Sequence, residues 1–145
     1  MKKIKLTKDE FALVDDEDFE YLNQFAWQCS PLGYATRRIG MHREIIKTPK
    51  GMYTDHINGN PLDNRKENLR IVTFSQNMLN RKRYKNNKSG HKGVVWNKDR
   101  QKWRVRIDVK GMQIDLGSFR FLEEAKKAYN FGSLKYHKEF GRLNA

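Results

Sequence analysis

From Lys102 to Val109 the sequence reads KWRVRIDV, with apolar and polar side chains alternating without a break. A period of two is that of a strand with one buried face. Trp103, Val105, Ile107 and Val109 share one side; Lys102, Arg104, Arg106 and Asp108 share the other. Met112, Ile114 and Leu116 continue the apolar side, and NKDRQ and VKGM are turn signals. The segment predicts a three-stranded antiparallel sheet. A sheet this small needs cover for its apolar face. FLEEAKKAYNFGSLKYHKEF supplies it: Leu122, Ala125, Ala128 or Tyr129, and Gly132 recur at helical spacing. Trp96 and Trp103 fall on the inner face and read as core.

Charge divides the chain unevenly. Residues 1–80 hold 12 Lys/Arg against 11 Asp/Glu, whereas residues 81–145 hold 18 against 6, so most of the net +13 lies in the second part. That asymmetry points to an anionic partner. No apolar run approaches a membrane span, and MKKIKLTKDEF has no apolar signal core. Nucleic acid is the expected partner, in an intracellular, cytoplasmic setting rather than a secreted one. The single cysteine, Cys29, allows no internal disulfide and no cysteine-rich zinc site.

The first part reads as short strands around a helix. IKLT and FALV suggest a hairpin, Asp16 to Phe25 a helix opened by acids that favour its dipole, and AWQC and GYATRRI two further strands. MHREIIK is open between a helical turn and a strand. KGMYTDHI reads as a strand, Asn58-Gly59 as a turn, LRIVTF as a buried strand and SQNMLNRKRY as a helix capped by Ser75. The fold class is thus α+β, with boundaries at 1–80, a basic linker at 81–92 and a second domain at 93–145.

The chemistry concentrates between Thr54 and Asn77, in TDHINGNPLDNRKENLRIVTFSQN. Cleaving a phosphodiester requires a water to lose a proton and the phosphate and leaving oxygen to be neutralised. His56 is a suitable base near neutral pH. Magnesium, with manganese as the alternative, takes oxygen ligands and often only one or two from protein side chains. Asp55 and an asparagine oxygen fit that role. Neighbours on a strand point oppositely, so Asp55 and His56 would approach a phosphate from different sides. Asn58, Asn60 and Asn68 read as loop braces. His42, Arg43, Arg65 and Arg70 are possible phosphate contacts, with packing or solvated surface the alternative for each.

At DHINGN, DNR, NLRIVT and SQN the sequence resembles the HNH, or His-metal finger, nucleases. The resemblance implies a small ββα-metal domain with its core motif at 51–84. It implies His56 as general base, Asn64 as the residue that orients it, and Asp55 and Asn77 as metal ligands, with Asn80 the rival to Asn77. No zinc-binding cysteine pairs are present, so the version of that family stapled by structural zinc is excluded. Residues 92–144 resemble the Apetala/ethylene-response-factor DNA-binding domain through GV, KW, LGSF, EEAKKAY and the final G..LN. That implies a sheet lying in the major groove of double-stranded DNA, with Lys92, Val95, Asn97, Arg104, Arg106, Asp108, Gln113 and Asp115 at the facing positions; the alternation of the strand adds Lys102 to the basic face. Val95, Asn97, Asp108 and Asp115 depart from that family's pattern, so a target sequence does not carry over.

Together these features predict a metal-dependent DNA endonuclease; the arrangement resembles phage or mobile-element homing-type nucleases, with nick or double-strand break left open and a monomer favoured. The rival from another class is a DNA-binding regulator whose nuclease part no longer cuts. An RNA-binding protein would display its aromatics for stacking, and here they fall mainly inward.

Overall fold

A computed structural model describes residues 1–82 and 87–145, so the middle of the expected linker, residues 83–86, lies outside the described residues. The chain divides into two units, Met1–Met78 and Leu79–Ala145.

In the first unit β1 (Lys2–Lys5) and β2 (Phe11–Val14) pair antiparallel, with Ile4 facing Ala12. Helix α1 (Asp16–Leu22) opens on Asp16, Glu17 and Asp18. It ends three residues before the expected Phe25. The reason is Trp27, whose Nε1 donates to the Leu22 carbonyl (2.8 Å) as the indole enters the core. Strands β3 (Gln28–Cys29) and β4 (Ala35–Thr36) form a minimal hairpin. The ambiguous MHREIIK resolves as helix α2 (Met41–Ile45), anchored by the fully buried Met41. Ile4, Leu6, Ala12, Val14, Leu22, Trp27, Ala35 and Met41 form one core, and Leu62 packs against it from a distant loop.

Strand β5 (Tyr53–His56) pairs antiparallel with β6 (Leu69–Val72), setting Asp55 opposite Arg70 and His56 opposite Leu69. Helix α3 (Phe74–Leu79) follows. Its cap is Thr73 rather than the expected Ser75. Thr73 Oγ1 accepts from Gln76 N (3.2 Å) and Gln76 Oε1 from Thr73 N (2.8 Å). That reciprocal pair satisfies two donors that a helix start leaves orphaned.

The second unit is a three-stranded antiparallel sheet, β7 (Val94–Asn97), β8 (Lys102–Val109) and β9 (Met112–Phe119), with helix α4 (Leu122–Tyr136) against it. Val94, Val105, Ile107, Ala125 and Tyr129 are its buried core. Small residues let α4 approach: a Cβ on Gly132 would lie 2.5 Å from Leu116 Cδ1. Gly93 combines φ +73° with a Tyr129 ring carbon 2.2 Å from where a Cβ would sit, so only glycine fits there. Trp96 departs from its expected core role. It stands edge-on to Trp103 (ring centroids 4.9 Å apart) but stays 38% exposed at the end of the sheet. Residues 87–92 are tied into this unit, with Ser89 Oγ donating to the Val94 carbonyl at 2.7 Å. Among the described residues no helix is long and apolar enough to cross a membrane.

Candidate active site

The loop joining β5 to β6 is held by its own asparagines and by the N-terminal hairpin. Asn58 N donates to Asn68 Oδ1 (2.9 Å) and Asn58 Nδ2 to Asp63 Oδ2 (2.9 Å), while Asn68 Nδ2 donates to the Asp63 carbonyl (2.8 Å). The buried Asn68 amide satisfies backbone groups that would otherwise be desolvated at a cost of about 1–3 kcal/mol each. Gly59 N donates to the His56 carbonyl (2.8 Å), closing the Asn58-Gly59 turn. Across the unit, Leu13 N donates to the Leu62 carbonyl (2.8 Å) and Asn64 N to the Leu13 carbonyl (2.9 Å). Strand β2 thus runs parallel to the loop for one bridge, Leu13 to Asp63. Asp15 Oδ2 also accepts from Lys66 N (2.7 Å), and Glu17 and Asp18 pair with Lys66 Nζ.

This clamp fixes Asn64, which is fully buried. Its Oδ1 lies 3.2 Å from His56 Nε2, and its Nδ2 donates to the Leu62 carbonyl (3.4 Å). With the amide nitrogen turned to Leu62, Oδ1 is the acceptor. His56 Nε2 therefore carries the proton, and the neutral ring has its lone pair on Nδ1. Burial pushes the His56 imidazole below its ordinary range, opposed by the Asn64 hydrogen bond and the charges of Asp55 and Asp63. It is neutral, and so able to accept a proton, at neutral pH.

Asp55 and His56 are each only 6% exposed. Alternation along β5 sends them to different faces. Asp55 Oδ2 accepts from Arg70 Nε (2.9 Å) and Nη2 (2.7 Å). His56 instead meets the rings of His42 and Tyr34, at centroid distances of 5.2 and 5.8 Å. Asn77 sits half-buried in α3 with its backbone N–H donating to the Thr73 carbonyl, whereas Asn80 is buried. Among the described residues no group of three or more His, Cys, Asp or Glu is placed to hold a metal. A divalent ion here would rest on few protein donors. One carboxylate with an amide oxygen is a hard-oxygen set that suits magnesium when water and phosphate complete the shell.

The remaining basic candidates are engaged. Arg65 pairs with Asp63 (2.7 Å) and with Glu67, and Arg43 Nη1 reaches the Met52 carbonyl (3.4 Å). His42 lies against Tyr34 and His56, with Nδ1 buried and lacking a hydrogen-bond partner. Its approach depends on Gly40, where a Cβ would fall 2.5 Å from His42 Cε1. Burial first, then the charges of His56 and Arg43, depress its imidazole to about 4. At neutral pH this ring brings no positive charge to a phosphate.

That depression makes a stability prediction. Unfolded imidazole protonates near 6.5, and folded His42 only near 4. Stability is full above pH 6.5 and is lost progressively as pH falls towards 4, because the unfolded chain takes up the proton first. After allowance for solvent screening the loss is roughly 2–3 kcal/mol. Urea denaturation at pH 7 and pH 4.5 should show a smaller acid loss for His42→Phe than for wild type. Equal losses would mean that His42 does not carry the effect.

On the second unit's outer face Arg104 pairs with Asp115 (Nε to Oδ2 2.7 Å), and Arg106 Nη1 donates to Gln113 Oε1 (2.8 Å). Gln113 Nε2 in turn donates to Asp108 Oδ1 (3.4 Å). Asn97 Oδ1 accepts from Arg100 N (3.0 Å), and Lys102 is exposed. Lys92 lies apart from this network, with Nζ donating to the Leu79 carbonyl (2.7 Å).

The class these features define is that of DNA-cleaving hydrolases. The HNH endonuclease family model matches residues 47–79, the stretch that runs from the approach to β5 through α3. Protein 3.8 of Escherichia phage T7 is 39% identical over 95 residues, covering 66% of this chain and 78% of that protein. The HNH endonuclease L560 of Acanthamoeba polyphaga mimivirus is 26% identical, covering 94% of this chain and 76% of its own. YosQ, an SPbeta prophage protein of Bacillus subtilis (strain 168) whose name refers it to the HNH homing endonucleases, is 32% identical over 75 residues, 52% of this chain and 43% of its own. No solved structure matches. Residues 47–79 thus carry an HNH endonuclease domain, and the protein is a DNA-cleaving hydrolase. Members of that family generally use a divalent metal.

Proposed function

We propose that this HNH endonuclease is a metal-dependent, homing-type enzyme of phage or mobile-element origin, acting inside an infected host and targeted by its second unit. The observation that carries the catalytic reading is the His56–Asn64 hydrogen bond, which leaves a neutral imidazole with its lone pair on Nδ1. His56 Nδ1 takes a proton from water as the water oxygen bonds to phosphorus. The phosphorus–oxygen bond to the leaving sugar oxygen breaks, that oxygen takes a proton from solvent water, and His56 returns the proton it accepted to solvent. Asn64 holds the ring and its tautomer. Asp55 and Asn77 would hold the divalent ion, magnesium first, whose charge offsets that on the phosphate and leaving oxygen. Arg70 keeps the Asp55 carboxylate in one orientation.

Residues 93–145 act as an Apetala/ethylene-response-factor-like DNA reader. The support is a sheet carrying Lys102, Arg104, Arg106 and Gln113 on the face opposite the helix, together with the charge of residues 81–145. Tethering such a module to a nearly neutral catalytic unit raises the local concentration of DNA at the site.

Incubation with supercoiled plasmid tests the reading. Magnesium or manganese should convert it to open circle if one strand is cut, or to linear if both are, and EDTA should stop conversion. If no phage or host DNA is cut despite tight binding, the non-cleaving regulator is the correct description.

A further inference from the structure

The second unit holds basic side chains away from its sheet face, in a place built by three converging segments. The Leu79 carbonyl accepts from Lys92 Nζ (2.7 Å) and from Arg142 N (3.3 Å). Asn144 locks the tail to residue 92: its Oδ1 accepts from Lys92 N (2.7 Å) and its Nδ2 donates to the Lys92 carbonyl (3.0 Å). A second reciprocal pair ties the same residue to α4, Asn144 N to Asn130 Oδ1 (2.8 Å) and Asn130 Nδ2 to the Asn144 carbonyl (2.9 Å). Between these segments is a pocket of about 460 Å³ lined by Lys82, His91, Lys92, Arg142 and Ala145 among others, with no acidic side chain among the described residues of its wall. Its wall brings three basic side chains, Lys82, Lys92 and Arg142, together.

Hydrogen bonds fix the backbone on which these charges sit, so Lys92 and Arg142 cannot drift apart as surface lysines and arginines do. The half-buried Lys92 ammonium lies below the ordinary lysine range, from burial first and then from Arg142 and Arg81, with Asp108 opposing. Like charges held together in a partly desolvated wall are unfavourable until an anion joins them. The sheet face is different. There Asp115 and the Gln113–Asp108 pair already answer Arg104 and Arg106. This pocket is one place where the fold concentrates the basic charge of residues 81–145.

We infer that the Lys82–Lys92–Arg142 pocket is a second DNA contact, gripping backbone phosphate independently of sequence while the sheet face reads the groove. The inference rests on the reading of the second unit as DNA-binding. Phosphate contacts position a protein and set its salt dependence without specifying bases.

The test measures affinity against salt concentration for the full chain in EDTA, on short duplexes of unrelated sequence. It compares wild type, Lys82→Gln/Arg142→Gln and Arg104→Gln/Arg106→Gln. The pocket variant should weaken binding by the same factor on every duplex and flatten the log–log salt slope by about 2, near 0.9 per lost contact. Unchanged affinity and slope in the pocket variant, with weakening in the sheet variant, would overturn the pocket while sparing the DNA reading. No change in either would overturn both. Amide shifts at Gly90, His91 and Lys92 report occupancy directly. Shifts with inorganic phosphate but none with duplex would make this a site for the free anion and overturn the inference. The glutamine variants keep side-chain length and leave the Arg142 backbone bond in place, and unchanged thermal unfolding confirms that any loss is one of contact.

Discussion

Replacing His56 with alanine should slow plasmid cleavage by about 10²–10⁴-fold, the usual worth of a positioned general base, with DNA affinity left nearly unchanged. The fully buried Asn64 amide orients the base. Asn64→Ala should therefore reproduce a smaller part of the loss, by freeing the ring and its tautomer without removing it. Because burial holds the His56 imidazole below its ordinary range, wild-type activity should fall off on the acid side only below the pH at which free imidazole protonates. Gel-shift affinity, measured beside single-turnover cleavage, separates chemistry from binding. A large loss of affinity in His56→Ala would assign the residue to packing against His42 and Tyr34 instead.

The second large effect belongs to Asp55. Asp55→Asn keeps the shape and removes the charge, so cleavage should vanish with magnesium and manganese alike, and calorimetric metal binding should be lost with it. The Arg70 guanidinium, whose side chain is only 16% exposed, would then face a neutral amide, at a stability cost of about 1–3 kcal/mol. Arg70→Gln is the control. It breaks the same pair but spares the carboxylate, so metal binding and most cleavage should survive. Were Arg70→Gln as inactive as Asp55→Asn, the ion pair rather than the metal would be what Asp55 serves.

Local pattern carried much of this architecture into view. The alternation of Lys102–Val109 appears as β8, the strand–loop–strand–helix order around Asp55 and His56 appears as β5, β6 and α3, and the loop asparagines make the hydrogen bonds their residue type favours. What stayed hidden was partnership over distance. Alternation says which face Arg104 occupies but not that Asp115, eleven residues on, would answer it. Position groups Lys92 with the sheet face, yet its ammonium lies apart from that face and turns to the Leu79 carbonyl. His42 and His56 are fourteen residues apart, and only the placement of α2 beside β5 reveals that their rings meet. Trp27 shortened α1 by taking a carbonyl that propensity could not know was wanted.

The parallel bridge from Leu13 to Asp63 bears on what could be moved between proteins as a working cassette. The family match begins at residue 47, and a fragment cut there would carry every candidate ligand and the base. It would lack β2, whose Leu13 receives Asn64 N and donates to the Leu62 carbonyl, and the core into which Leu62 is set. Asn64 would then hang on a loop stiffened by its own amides and the Arg65–Asp63 pair, without the anchor to the N-terminal core. The unit of inheritance that preserves a poised imidazole is thus the whole of Met1–Met78, and recombination within the first fifty residues breaks an enzyme whose motif remains letter-perfect.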